Sequence, residues 1–307
     1  MNANGKNGKA ANPDGENAPA APGEKQALQR LLQAHGLRPQ SKWGQNFLID
    51  LNLLGFIARA AGAGPGDFIL EVGPGTARLT RELAKAGAQV LAVELDRGLA
   101  AVARAEMAGF ANFSLIEGDV LAGKSALNPE ALAAVAAGVR DGAKTLKCVS
   151  NLPYSAGTPV IANLLSSPLP WARAVFLLQY EVGQRLLAAP GGDDYGILAV
   201  KTAFAGRAEI LRRVPPDVFW PVPGVDSAVV RIDFFPAGQR MAVPWARLDQ
   251  VLKAAFGARR KTLAKALRGV LAPGALETAL TRHGLRPDAR AEDAPPEAFL
   301  DLARALN

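Results

Sequence analysis

The chain has 307 residues, about half of them apolar, so it is long enough to bury a full hydrophobic core and to divide into a large and a small domain. Its 35 Lys and Arg against 28 Asp and Glu give a formal net charge of +7, which favours an anionic partner, nucleic acid before membrane. One cysteine and two histidines provide neither an internal disulfide nor metal-ligand spacing, and no apolar run reaches the roughly 18 residues of a transmembrane helix.

The predicted elements begin after a polar tail. Residues 1–23 are mostly Asn, Gly, Ala and Pro, and we predict that they are disordered because they bury too little apolar surface. A strand at 68–73, a helix at 78–87 and a strand at 89–94 follow. Such alternation predicts an α/β fold with a doubly wound parallel sheet. The later units of this region are a helix at 99–107, strands at 113–119, 147–151 and 174–179, and helices at 159–167 and 180–188.

The last third of the chain has a different pattern. Two apolar segments, 208–214 and 228–235, have no helix between them and predict an antiparallel pair that completes one edge of the sheet. Beyond them the pattern is helical only, with predicted helices at 246–256, 260–270, 274–283 and 296–305. We therefore divide the chain into a disordered tail at 1–23, an α/β domain at 24–236 and a small all-helical domain at 237–307.

A glycine-containing turn follows the first predicted strand of the sheet. Gly73 and Gly75 lie between this strand and its helix, where a backbone that approaches a ligand needs residues without a Cβ. Glu94 ends the next strand, where an acidic side chain can accept hydrogen bonds from both hydroxyls of a ribose. Together these residues predict a cofactor that contains adenosine. The alternative for the two glycines is a purely structural turn.

Two further positions narrow the choice of cofactor. The dinucleotide fingerprint has a third glycine where this chain has Arg78, which disfavours a pyrophosphate and favours S-adenosylmethionine. Asp119 follows the third strand, and its carboxylate can accept from an adenine amino group while the backbone N–H of Val120 donates to the ring. Asp119 could instead serve as a turn or cap residue. The set predicts S-adenosylmethionine.

The segment Asn151-Leu152-Pro153-Tyr154 ends the fourth strand, beside the predicted methyl donor. The exocyclic N6 of adenine is a poor nucleophile because its lone pair is delocalised into the ring. Asn151 Oδ1 and the Leu152 carbonyl can accept its two N–H protons, which makes the nitrogen more tetrahedral and frees the lone pair. Pro153 fixes the turn and Tyr154 can stack on the base. Without the cofactor residues, such a tetrapeptide is more often an Asx-Pro turn.

From about residue 37 to the C-terminus, nine motifs carry a family resemblance. In chain order they are KWGQNFLID (42–50), EVGPG (71–75), VELD (93–96), EGDV (117–120), NLPYSAGTPV (151–160), LLQYEVGQRLLA (177–188), DYGILAV (194–200), VFWPVPGVDSAVV (218–230) and FGARRKTLAKAL (256–267). The chain resembles the ribosomal RNA adenine dimethyltransferase family in its small-subunit branch. The resemblance implies a Rossmann-like class I methyltransferase sheet followed by a helical RNA-binding domain.

The resemblance also implies roles for single residues. Gln45, Asn46 and Phe47 match the segment that closes over the methionine part of the cofactor, although Phe47 could simply pack in the core. Phe219 matches the ring that sandwiches the target adenine opposite Tyr154, and packing of a proline-rich loop is its alternative. Three more residues of these motifs, with Asn151 in a second role, complete the predicted cofactor site: Leu48, Glu71 and Leu95.

The chain departs from the family in several places. Tyr180 and Gly224 stand where the family commonly has lysine, and SAGTP replaces the more usual sequence after Tyr154. We expect the loss of the two lysine charges to affect contacts with RNA rather than the chemistry. Glu181 and Arg185, four positions apart, predict an ion pair on one helix.

A basic cluster opens the predicted helical domain. On a helix at 260–270 its residues would cover one broad face that could follow an RNA backbone, although a charge run is usually just a solvated face. The cluster consists of Arg259, Arg260, Lys261, Lys265 and Arg268.

The residues and the resemblance together predict a methyltransferase. It would transfer methyl groups from S-adenosylmethionine to N6 of two adjacent adenosines in a 3′-terminal hairpin of 16S rRNA, within the immature small ribosomal subunit. We expect the protein to be a monomer and to make no contact with membranes. We expect it in the cytoplasm, because the lone cysteine fits a reducing compartment. The alternatives are a large-subunit 23S rRNA adenine methyltransferase that confers antibiotic resistance, and a mainly non-catalytic ribosome assembly or RNA-binding factor.

Overall fold

The protein folds around one seven-stranded sheet with helices on both faces, followed by a group of helices. A computed structural model describes residues 23–40, 44–123, 126–239, 241, 243–258, 260–272 and 274–306. The predicted tail lies outside these residues except for Gly23, and Arg259 of the basic cluster lies outside them as well. None of the described helices combines the length and apolar character needed to cross a membrane.

The helices are named in chain order. They are α1 (Glu24–Ala34), α2 (Leu51–Ala61), α3 (Arg78–Lys85), α4 (Arg97–Glu106), α5 (Pro129–Arg140), α6 (Gly157–Leu165), α7 (Tyr180–Leu187), α8 (Ile197–Ala205), α9 (Trp245–Phe256), α10 (Leu263–Ala266), α11 (Ala275–Arg282) and α12 (Pro296–Arg304). The strands are β1 (Phe47–Leu48), β2 (Asp67–Val72), β3 (Gln89–Glu94), β4 (Phe113–Glu117), β5 (Thr145–Asn151), β6 (Trp171–Gln179), β7 (Gly206–Val214), β8 (Phe219–Trp220) and β9 (Ser227–Phe234).

The large sheet has the strand order β4-β3-β2-β5-β6-β9-β7. Strands β2 to β6 are parallel, and Leu70 of β2 pairs with Leu91 of β3 on one side and with Cys148 of β5 on the other. Strand β9 runs antiparallel to both β6 and β7, which confirms the predicted antiparallel pair at one edge. Because parallel strands end at the same edge, the residues that follow β2, β3, β4 and β5 meet there.

Alternate residues of the central strands pack into two separate cores. In β2, Leu70 lies in the core on one face of the sheet and Ile69 in the core on the other. In β5, Cys148 and Val149 divide in the same way. A strand with apolar side chains on both faces is buried between two helical layers, which is typical of doubly wound α/β domains. The predicted fold class is confirmed.

The C-terminal helices have a core of their own that extends into the α/β region. Tyr195 and Val200 are buried in it with Phe299 of α12, and the Tyr195 hydroxyl donates to the Ala294 carbonyl at 2.9 Å. The buried Lys201 of α8 forms an ion pair with Asp249 of α9 at 2.7 Å. The helical region therefore packs firmly against α8, on the other side of the boundary predicted at residue 236, and that boundary stays a prediction.

The helix predicted at 260–270 is wrong, because only Leu263–Ala266 is helical. Thr262 forms an antiparallel bridge with Arg290, and the Leu263 amide donates to the Ala289 carbonyl at 2.8 Å. Gly269 has a φ of +77°, which ends any helical path. Pairing with a distant segment therefore replaces local helix formation here.

Candidate active site

A cavity opens where β2, β3, β4 and β5 end, and the segment before β1 covers part of it. We call the segment Asn151–Tyr154 the clamp, because it is predicted to hold the target base. The cavity wall contains every residue predicted for the cofactor site and for the clamp, but it does not contain Phe219. These residues are Gln45, Asn46, Phe47, Leu48, Glu71, Gly73, Gly75, Glu94, Leu95, Asp119, Val120, Asn151, Leu152, Pro153 and Tyr154. The structure thus brings together residues that are up to about a hundred positions apart, and their roles stay predictions.

The turn after β2 needs its glycines for both conformation and space. Gly73 has a φ of +68° and Gly75 a φ of +56°, in the left-handed region that favours glycine. A Cβ on Gly73 would lie 3.1 Å from Cγ of Pro153, and one on Gly75 would lie 3.2 Å from the Phe47 ring. The turn therefore packs closely against both the substrate clamp and the N-terminal segment.

Glu94 is held by the backbone while it faces the cavity. Its Oε2 accepts from the Gly75 amide at 3.1 Å, and its Oε1 accepts from the Asp96 amide at 2.9 Å. Burial raises the pKa of the Glu94 carboxyl, and these hydrogen bonds counteract part of that effect. Each carboxylate oxygen keeps a further acceptor site, so this geometry fits a carboxylate that binds two ribose hydroxyls.

Glu71 lies in the cavity wall and is almost fully buried, at 1% exposure. Its Oε2 has no hydrogen-bond partner among the described residues, and burial raises the pKa of Glu71 to about 8. A buried acceptor without a partner is costly, so it fits a site whose donor arrives with a ligand. The ammonium group in the methionine part of S-adenosylmethionine is a donor of this kind.

The opposite wall offers a flat ligand an apolar surface. Leu95 is 52% exposed at the cavity, so its side chain is available for contact with an adenine ring. Val120 is buried beside it in the wall. Asp119 accepts from the Leu121 amide through Oδ1 at 2.9 Å, so it acts as a turn residue, while the side chain also lines the cavity. These three residues thus fit the adenine part of the predicted cofactor.

The Asn151 amide is oriented by the N-terminal segment. Its Nδ2 donates to the Asn46 carbonyl at 3.1 Å. A carbonyl can only accept, so this contact fixes which end of the amide is the donor and leaves Oδ1 as the acceptor. No hydrogen bond from the described part of the chain occupies Oδ1. Gly44 passes over the clamp so closely that a Cβ there would lie 3.2 Å from the Tyr154 amide nitrogen.

The two predicted aromatic contacts differ in placement. Tyr154 lines the cavity, its hydroxyl lies 2.6 Å from Ser227 Oγ, and burial raises the pKa of its phenol. Phe219 is 1% exposed, pairs with Leu48 in the β1–β8 ribbon and packs into the core. The structure therefore presents the Tyr154 ring but not the Phe219 ring to the cavity, and the sandwich stays a prediction.

Two charged residues of the cavity wall, Asp96 and Arg78, were not predicted as binding residues. Asp96 caps α4 and also accepts from Gln45 Nε2 at 3.2 Å, which ties the N-terminal segment to the end of β3. An aspartate just before a helix, as in the motif VELD, was a signal for this cap. Arg78 lines the cavity and forms an ion pair with Glu24 of α1 at 2.9 Å, which sequence spacing could not have indicated.

The basic cluster lies outside the cavity. Arg260, Lys261, Lys265 and Arg268 are exposed, and they make no ion pair with the described residues. Only Lys265 lies in a helix, so the prediction that the cluster covers one helical face is wrong. The predicted ion pair between Glu181 and Arg185 on α7 is confirmed.

Known proteins resemble the chain over most of its length. The sequence pattern of the family described as ribosomal RNA adenine dimethylase matches residues 36–307. The ribosomal RNA small subunit methyltransferase A of Moorella thermoacetica is 39% identical over 292 residues, which cover 94% of this chain and 98% of that protein. The protein of the same name from Deinococcus radiodurans is 41% identical over 280 residues, which cover 91% of this chain and 89% of that protein.

Solved structures agree with the fold. A dimethyladenosine transferase from Plasmodium falciparum has a TM-score of 0.64 at 22% identity and covers 85% of this chain and 99% of its own. The 23S rRNA methyltransferase ErmE has a TM-score of 0.57 at 26% identity, and the match covers 84% of this chain and 98% of that one. These similarities make the protein a methyltransferase whose cofactor is S-adenosylmethionine. The chain belongs to the ribosomal RNA adenine dimethylase family.

Proposed function

We propose that the protein transfers methyl groups from S-adenosylmethionine to N6 of two adjacent adenosines in a 3′-terminal hairpin of 16S rRNA, giving N6-dimethyladenosines in the immature small subunit. One observation carries the proposal: Glu94, suited to a ribose, and Asn151, with its amide oriented as an acceptor, lie in the same cavity. The small-subunit names of the relatives that are about 40% identical support the choice of RNA.

Binding and orientation account for the chemistry. When bound, S-adenosylmethionine supplies an electrophilic methyl group. The Gly73 turn and Glu94 hold the cofactor, and Asn151 Oδ1 and the Leu152 carbonyl accept the two N6 protons of the adenine. The ring of Tyr154 keeps the base flat against these acceptors. Fixed geometry of this kind converts an encounter into a reaction within one complex and lowers the barrier.

The clamp contains no strong base, and the mechanism needs none. The N6 proton becomes acidic only after the nitrogen has gained its methyl group, so it can leave to water or to a weak acceptor. The hydrogen bonds of Asn151 act earlier, by holding the nitrogen in a geometry in which its lone pair is available. A loop adenosine can reach the cavity because an unpaired base is displaced at modest cost.

Two rival functions are less well supported. ErmE is named for 23S rRNA and shares the fold, but it is 26% identical, whereas the small-subunit methyltransferases reach about 40%. A protein that only binds RNA would have no use for Glu71 and Glu94, two carboxylates that are costly to bury. A role in small-subunit assembly can accompany the enzymatic role.

We extend the proposal to the partner and the setting. The exposed cations Arg260, Lys261, Lys265 and Arg268 suit contact with RNA phosphates. Cys148 is buried, and burial raises the pKa of its thiol to about 12, so the lone thiol is unreactive and is compatible with a reducing compartment. We propose a monomer that acts in the cytoplasm.

One experiment tests the proposal. The protein is incubated with methyl-labelled S-adenosylmethionine and, separately, with immature small subunits and with large subunits, and the RNA is digested to nucleosides. We expect labelled N6-dimethyladenosine from the small-subunit RNA only. Label in large-subunit RNA would favour the ErmE-like function, and no label in either RNA would favour the assembly factor.

A further inference from the structure

Ser227 connects the antiparallel edge of the sheet to the active-site cavity. It is the first residue of β9, is fully buried, and pairs with Gln179 of β6 and Val214 of β7. Its Oγ lies 2.6 Å from the hydroxyl of Tyr154, 73 positions earlier in the chain. Ser227 does not itself line the cavity. Any influence on the reaction must therefore pass through Tyr154.

We infer that Ser227 is a positioning residue for methyl transfer, and that its hydroxyl holds the Tyr154 ring in the orientation that receives the target adenine. The inference rests on the proposed function, because it requires the Tyr154 ring to contact the base. It concerns a residue of the motif VFWPVPGVDSAVV that neither the cofactor nor the clamp uses directly.

The geometry shows why a serine at this place matters. The backbone of Tyr154 is already fixed, since Gly44 lies against its amide and Pro153 precedes it. The remaining freedom is in the two side-chain torsions. A hydrogen bond at Oη fixes the far end of the side chain, and because a phenol hydrogen prefers the ring plane, it also biases the ring's rotation. Both ends of the ring are then held before the base arrives.

The anchor is itself rigid. Ser227 lies between two strands of the sheet, so its backbone cannot follow a moving tyrosine. The Tyr154 hydroxyl is partly buried, so its exchange for water would be incomplete if the serine hydroxyl were removed. A tyrosine without this contact would sample other rotamers, and a smaller fraction of the enzyme would be ready to react.

A double-mutant cycle tests the inference. We measure kcat with saturating cofactor and small-subunit RNA for the wild type, Ser227→Ala, Tyr154→Phe and the double variant. Each single change removes one side of the hydrogen bond, and we expect a loss of about five- to tenfold in kcat, the usual worth of one such bond. The double variant should be no slower than either single variant. Cofactor affinity should stay within about twofold.

Two outcomes overturn the inference. If Ser227→Ala slows the enzyme equally in the wild-type and the Tyr154→Phe background, the serine acts on the fold and not through the tyrosine. Unchanged turnover in Ser227→Ala also removes the role. Ser114→Ala is the matched control, since Ser114 is exposed on β4, far from Tyr154 in the sheet order, and should leave kcat unchanged.

A spectroscopic measurement separates this inference from the proposed function. The chain has three tyrosines, so ring-labelled tyrosine gives a simple NMR spectrum in which Tyr154→Phe assigns one set of signals. We expect Ser227→Ala to shift the Tyr154 ring signals and to leave those of Tyr195 in place. Unshifted Tyr154 signals would overturn the contact. A wild-type protein that methylates no small-subunit RNA would overturn the proposed function while the NMR result stands.

Discussion

The two halves of the cavity are held in different ways. The cofactor half (Gly73, Gly75, Glu94 and Asp96) is fixed by several hydrogen bonds to backbone amides, and both Glu94 oxygens accept such bonds. In the substrate half (Asn151–Tyr154), main-chain hydrogen bonds such as that from the Leu152 amide to the Leu177 carbonyl hold the backbone, whereas each polar side chain is held by one contact, Asn151 to Asn46 and Tyr154 to Ser227. A carboxylate held by two amides and side chains held by one contact each should respond differently to mutation.

The N-terminal segment (residues 44–47) connects the two halves. The N-terminal segment touches both, because Gln45 donates to Asp96 while the Asn46 carbonyl accepts from Asn151. One short segment therefore joins the strand end that carries Glu94, the proposed ribose-binding residue, to Asn151, the proposed acceptor for the adenine. Loss of a substrate-half residue should affect turnover, and loss of a cofactor-half residue should affect cofactor binding.

The largest effect is expected from Asn151→Ala. Removing an acceptor aimed at the reacting nitrogen should lower methyl transfer by about 100-fold or more, the usual worth of one preorganised electrostatic contact. Turnover is measured with saturating cofactor and RNA. Asn163→Ala is the control, since that amide donates to the Pro159 carbonyl of its own helix and Asn163 does not line the cavity. Turnover within a fewfold of the wild type would exclude the acceptor role of Asn151.

Glu94→Gln should have the next largest effect, on the cofactor half. The variant keeps the shape of the side chain but replaces one of the two carboxylate oxygens that we propose accept from the ribose hydroxyls, so the cofactor Kd should rise by about 10- to 100-fold. Calorimetry measures this directly. The control is Glu117→Gln, because Glu117 is the register partner of Glu94 on β4 and does not line the cavity. Equal effects of both changes would refute the ribose assignment.

Glu71, in the cavity wall, should make the stability of the fold depend on pH. Its pKa is about 8 in the folded protein against an ordinary 4.5, so the folded state retains a proton that the unfolded state loses. The associated stability is complete below about pH 4.5 and is lost as the pH rises toward 8. Glu71→Gln removes this titration.

Without cofactor, the unfolding free energy of Glu71→Gln relative to the wild type should therefore increase between pH 5 and pH 8, by roughly 3 to 4 kcal/mol. Chemical denaturation at several pH values measures it. Glu130→Gln, an exposed change on α5, should show no such trend. A difference that does not depend on pH would show that Glu71 titrates normally.

The smallest effect is expected outside both halves. Lys265→Ala removes one exposed cation of the basic cluster, so RNA affinity should fall only a fewfold. The slope of log affinity against log salt concentration should become less steep by about one. Filter binding over a range of salt concentrations measures both quantities. Lys85→Ala is the control, because Lys85 is paired with Glu82 on α3. An unchanged salt slope would remove Lys265 from the RNA interface.

Much of the fold was predictable because buried parallel strands have a strong signal. The strand at 89–94 was predicted to the residue, and the antiparallel edge followed from two apolar segments with no helix between them. Local sequence patterns did not predict the segments whose conformation is set by tertiary contacts. The segment 260–270 pairs with Ala289 and Arg290 instead of forming a long helix.

The site was predictable to a similar degree and for a related reason. Glycines with positive φ and acidic residues at strand ends have fixed positions in this topology, so Gly73, Gly75 and Glu94 could be found from spacing. Contacts between distant segments could not. Neither the Tyr154–Ser227 hydrogen bond nor the burial of Phe219 leaves a sequence signal, because each depends on how β8 and β9 pack.

The division between the two halves is tested most directly by measuring cofactor Kd and kcat side by side in Asn151→Ala and Glu94→Gln. We predict a crossed result. Asn151→Ala should keep the wild-type cofactor Kd and lose nearly all turnover, while Glu94→Gln should bind cofactor weakly and recover most of its turnover when cofactor is saturating. If both variants lose affinity and turnover in parallel, the cavity does not divide into a cofactor half and a substrate half.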